Sequence, residues 1–156
     1  MRQVPIKNYV IAIVLIVLTV CVSLYVSKMY KVSNKIDNEI SFANLENYLY
    51  ENPNVIVYLK NDSYLKFENN FEKVIYDHSL NSQVISVDLS LLNSEDRKNF
   101  YNKYCSELID FNNLFSVPNI ILVKDGKVSA VYASNYSDVS GDNITSFLGN
   151  NGWLND

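Results

Sequence analysis

Apolar residues are distributed along this chain as one long run, as short continuous runs, and at intervals of three and four. The long run comes first. From Asn8 to Ser27 no side chain is charged, and YVIAIVLIVLTVCVSLYV is almost wholly apolar between Lys7 and Lys28. Twenty helical residues span about 30 Å, the thickness of a bilayer's hydrocarbon core, so this run predicts a transmembrane helix over 8–30. The short runs are VIVYL at 55–59 and VISVDL at 84–89. Each has strand length and no polar alternation, which predicts strands covered on both faces. Helical spacing joins Ile40, Phe42, Leu45, Tyr48 and Leu49 in a helix that ends near Asn52-Pro53. It recurs in Phe67, Phe71, Val74, Ile75 and His78, with Asp62 or Ser63 placed to cap the start. A third helix is predicted from Ser94 to Ile109, with Glu95 and Asp96 in its first turn and Tyr101, Tyr104, Cys105 and Leu108 on one face. A last short one carries Ile144, Phe147 and Leu148.

Residues 116–128, SVPNIILVKDGKV, predict a β-hairpin. Ile120 to Val123 are aliphatic, Asp125-Gly126 tolerates the positive φ of a tight turn, and Val128 to Tyr132 supply the returning strand. Pro118 cannot donate to a sheet ladder and so belongs at the strand's mouth. The element order is α, β, α, β, α, β, β, α. Strands separated by full helices are expected to be parallel neighbours joined by crossovers, and the last two, joined by a turn, antiparallel. The expected fold class is α/β, a mixed four-stranded sheet flanked by helices. The chain divides into a tail (1–7), a signal anchor (8–30), a linker (31–37) and a domain (38–156).

That order, with VPNIILVKDGKV at the third and fourth strands, resembles the thioredoxin fold over most of Asn38 to Leu148. In that superfamily the residues matching Val117-Pro118 form the cis-proline loop facing the active site. Family oxidoreductases carry C-x-x-C just after the first core strand, where a helix start lowers a thiol's pKa and makes it nucleophilic. Here the matching region is KNDSYLKF, and Ser63-Tyr64-Leu65-Lys66 stands where the motif would be. A serine hydroxyl has no comparable exchange chemistry. The resemblance therefore implies a non-catalytic, degenerate member, not an enzyme.

Composition and charge narrow the partners. Eleven of the 13 basic residues and all 17 acidic ones lie from Lys28 onward, leaving the outer part acidic by six charges. Phosphate backbones need a basic face, so nucleic acid is not an expected partner. Abundant Asn, Lys, Ile and Tyr with few Arg, Ala and Gly is a bias associated with AT-rich bacterial genomes. The apolar run has two other readings. A lipoprotein signal would place a small residue before Cys21, where Val20 stands, and would not continue through Val26; a core helix of a soluble protein is the remaining alternative. Lysines flank both ends, so charge does not choose an orientation. The short tail and the resemblance favour a single-pass cell-membrane protein with its C-terminal domain outside.

Other candidate chemistry is sparse. Cys21 and Cys105 cannot pair if one is within lipid, and Cys105 shares its predicted helical face with apolar neighbours, as an inert buried thiol would. Ser63 and Lys66 form S-x-x-K without the flanking motifs of penicillin-recognising enzymes. His78 is the only histidine and lacks acidic or Cys company at ligand spacing, so neither a metal site nor a cofactor is expected. What the resemblance does imply is a groove for extended peptide, with Asp62, Ser63, Tyr64, Leu65 and Lys66 on one wall and Ser116, Val117 and Pro118 on the other. The expected function is a protein- or peptide-binding accessory module, similar in layout to small anchored thioredoxin-like proteins beside bacteriocin export and other secretion systems. The alternatives are a structural subunit of a membrane complex and a thiol-dependent redox partner acting through Cys105.

Overall fold

The computed structural model describes residues 6–33, 36, 38–60, 65–90, 92–105, 108, 119–133 and 140–154. The chain divides into two compact units, 1–35 and 36–156.

The first unit holds helix α1, Ile6–Ser33. The side chains described between Ile11 and Lys28 are all exposed, from Val14 at 51% to Leu24 at 66% among the large apolar ones. Apolar exposure on every side follows from a sequence that has no polar face to turn outward. Among the described residues no helix is long and apolar enough to cross a membrane.

The second unit is a mixed sheet between two layers of helices. In chain order it comprises α2 (Phe42–Glu51), β1 (Val55–Lys60), α3 (Leu65–Asp77), β2 (Val84–Asp88), α4 (Ser94–Tyr104), β3 (Asn119–Lys124), β4 (Lys127–Ala133) and α5 (Gly141–Asn150). A single 3₁₀ turn, Asn81–Gln83, leads into β2. The sheet order is β2-β1-β3-β4. β1 runs parallel to β2, while β3 is antiparallel to both of its neighbours. The expected parallel crossover from β2 to a neighbouring β3 is thus corrected. A helix alone would carry the chain back to the end where β2 begins; the connection here adds the length from Cys105 to Pro118. β3 accordingly enters beside the finishing end of β1, with Asn119 opposite Leu59.

Because side chains alternate across a strand, the apolar runs feed two cores. Val55, Val57 and Leu59 of β1 join Ile85, Val87, Ile121 and Val123 against Leu45, Leu49 and Phe100 of α2 and α4. Ile56 and Tyr58 join Val84, Ile120 and Leu122 against Phe67, Phe71 and Ile75 of α3, Ile144 and Leu148 of α5, and Trp153. The face expected of α4 differs. The helix stops at Tyr104, with Cys105 as its buried C-cap, and Phe100 is its buried anchor, while Leu108 is exposed. Its start is fixed by Asn93 Oδ1, which accepts from the amides of Glu95 and Asp96 at 2.9 Å each.

Both sheet margins have local devices. On the outer side of β2, Ser86 donates its amide to Asn38 O and its carbonyl accepts from Ile40 N, both at 2.9 Å, so 38–40 pairs with that strand. At the hairpin, Asp125 (φ 53) and Gly126 (φ 73) occupy the two positive-φ positions of a type I′ turn. The turn is held down by Gly126 N donating to Pro53 O at 2.9 Å and Asp125 N to Asn54 Oδ1 at 3.1 Å. A bulge at Leu122/Val123 leaves Ser129 over, and its Oγ donates to Leu122 O at 3.1 Å.

Candidate functional site

The described elements that flank the expected groove residues in sequence meet at one end of the sheet. Leu59, Asn119 and Ala133 are register partners across β1, β3 and β4. The chain therefore leaves β1 after Lys60, enters β3 at Asn119 and leaves β4 after Ala133 at the same end, and α3 opens there at Leu65. Two of the eight predicted groove residues can be placed. Leu65 and Lys66 form the first turn of α3, and both are exposed, Leu65 at 69%. Asp62, Ser63, Tyr64, Ser116, Val117 and Pro118 lie outside the described residues. The topology brings together the ends from which both predicted walls extend.

Beneath this end lies an aromatic stack. Tyr58 packs on Phe71 at 4.9 Å between centroids and on Phe67 at 6.0 Å, and Tyr132 joins Phe67 at 6.1 Å and Phe147 at 5.2 Å. Such pairs add stabilisation beyond area burial, which gives α3 a rigid seat under its exposed first turn. Burial, and then the charges of Glu68 and Glu72, push the Tyr58 hydroxyl far above the ordinary phenol range, so it keeps its proton. Lys60 stands beside it at the strand's end, 3.6 Å from Glu68 Oε1 and 4.0 Å from Glu39 Oε2. Asn119, the first residue of β3, is fully buried; the sequence gives no signal for it, since its position follows from the strand's unexpected direction.

The remaining candidate chemistry lies elsewhere. Cys105 belongs to the core on the other face of the sheet from α3. It is 1% exposed, and burial pushes its thiol up to about 12. Burial therefore favours the protonated thiol over the nucleophilic thiolate at neutral pH. His78 follows the end of α3 as an exposed turn residue, away from the buried stripe its spacing suggested. Among the described residues no group of three or more His, Cys, Asp and Glu is placed to hold a metal ion. The described part of this end thus offers an exposed apolar side chain, Leu65, with the lysines Lys60 and Lys66.

Trp153, which closes the second core from beyond α5 at 9% exposure, escaped the sequence reading because it belongs to no periodic segment. The mixed four-stranded sheet with helices on both faces is compatible with a thioredoxin-like fold. No family model matches the chain, and no curated protein matches it.

Proposed function

We propose that this chain is a membrane-anchored, non-catalytic thioredoxin-like protein whose domain binds a protein or peptide partner, as an accessory to bacterial export or secretion. The observation that carries this reading is Leu65, a large apolar side chain 69% exposed at the first turn of α3. A single exposed apolar side chain is ordinary in itself; its place at the first turn of α3, where the resemblance puts one wall of a peptide groove, is what supports the reading. Lys66 beside it adds a charge for register without adding chemistry. The anchor rests on the sequence, in which the uncharged run from Asn8 to Ser27 matches the thickness of a bilayer. The domain outside the cell is part of the same proposal. The alternative of redox partnership through Cys105 finds no support in a buried thiol with a raised pKa.

Photo-cross-linking in intact membranes tests the groove. A photoreactive residue replaces Leu65 in one variant and Lys98, an exposed residue of α4, in a control. The expected outcome is a discrete adduct from position 65 and none from position 98. No adduct from position 65 in a folded, membrane-inserted chain would overturn the binding role and leave the structural-subunit reading, in which the transmembrane helix makes the contact.

A further inference from the structure

A second feature occupies the opposite end of the sheet. There the starts of β1 and β2 and the finish of β3 surround an open cavity of about 420 Å³, lined in part by Asn54, His78, Gln83, Lys124, Gly152 and Trp153. That is the size of a small-molecule site. Its composition sets it apart in an acidic chain of net charge −4. Among the described residues no carboxylate lines it, whereas the groove between α2 and α4 includes Glu46 and Asp96, and another beside α2 includes Glu39 and Glu51.

The cation in this cavity is held in place. Lys124 Nζ donates to Asn151 O at 2.6 Å and lies 5.8 Å from the centroid of the Trp153 ring. An ammonium has three donors, so one bond and a cation–π contact fix it while leaving donors over. Gly152 lies beside the ammonium. Its φ is +67°, and a Cβ there would stand 3.4 Å from Lys124 Nζ. Trp153 Nε1 is buried without a hydrogen-bond partner. The His78 imidazole and the Gln83 amide line the same space with no side-chain hydrogen bond among the described residues.

A fixed ammonium, an imidazole and amides, with no acid among the described lining residues, match a group that is negative and accepts several hydrogen bonds. We infer that this cavity binds a small oxyanion, with Lys124 as its charge partner and His78 and Gln83 as further donors. A free anion and the headgroup of an anionic lipid present the same chemistry.

Trp153 is the only tryptophan, so its indole ¹⁵N–¹H resonance reports on this cavity alone. The full-length chain in uncharged maltoside micelles is titrated with inorganic phosphate, with ionic strength held constant by chloride. The expected result is a saturable shift, weakened at least tenfold by Lys124→Gln, at least threefold by His78→Gln, and unchanged by Lys98→Gln. Micelles doped with phosphatidylglycerol identify the source. A Lys124-dependent shift before any phosphate is added assigns the lipid headgroup, and its absence alongside a positive phosphate titration assigns the free anion. A non-saturable response equal to that of chloride overturns the inference. So does a saturable response that both Lys124→Gln and His78→Gln leave intact. Should Lys124→Gln fail to fold, His78→Gln decides, because His78 is an exposed turn residue beyond the end of α3.

Discussion

The Tyr58 hydroxyl is buried among aromatic rings without a hydrogen-bond partner. Burying such a group unpaired costs about 1–3 kcal/mol. Tyr58→Phe is therefore expected to leave stability unchanged or raise it by about 1 kcal/mol in urea denaturation followed by Trp153 fluorescence. A comparable loss would reveal a bond to the hydroxyl. Cys105 makes a pH prediction. Its thiol would titrate at 9.0 when free and is pushed up to about 12 by burial. Below pH 9 both states are protonated, and nothing is lost. Above it only the unfolded chain ionises, so stability should fall by about 1.4 kcal/mol per pH unit toward pH 12. Tyr58 adds to the slope once the free phenol ionises, above its ordinary 10.0. Cys105→Ala should flatten the part between pH 9 and 10. At Gly126, φ is +73 and a Cβ would meet nothing within 4 Å. Gly126→Ala should accordingly cost only the left-handed backbone penalty, about 1–2 kcal/mol.

Among the elements, the ones legible in the sequence are those whose spacing reports burial directly. VIVYL and VISVDL are strands, Phe67, Phe71, Val74 and Ile75 are the buried stripe of α3, and Asp125-Gly126 makes the turn. What stayed illegible depends on partners distant in sequence. The direction of β3 is set by the length of a connection, the burial of Phe100 by the place where α4 ends, and that of Trp153 by a core it reaches only after α5. The pairing of 38–40 with β2 belongs to the same class. It covers strand hydrogen bonds that would otherwise face solvent. Ile40→Pro removes the donor to Ser86 O and should cost about 0.5–1.5 kcal/mol. Backbone hydrogen exchange along β2 checks it, with faster exchange expected there than along β3. The candidate site was legible only in part. The missing dithiol and the proline at the hairpin's mouth can be read from residue identity, but the exposure of Leu65 required the fold.

For the whole molecule, the division at residues 35 and 36 separates an exposed apolar helix from a unit that owns both of its cores. A chain reduced to 36–156 is expected to fold and remain in solution, while the full chain resists alkaline extraction from membranes. Replacing Leu18 with Arg should oppose insertion by about 2.5–3.5 kcal/mol, read as a larger extracted fraction. β1 pairs with both β2 and β3 and, like them, feeds both cores. In most sheets a slip of one residue would turn apolar side chains out to water, and polarity alone would forbid it. Here every residue from Val55 to Leu59 is buried, so the shifted alignment would be as greasy as the native one. The misfit would be one of bulk. Tyr58 would be driven out of its nest of rings and into the space that Val57 or Leu59 fills. Correct alignment of the central strand is thus written in the sizes of its side chains, and a single tyrosine ring is the notch that keys it.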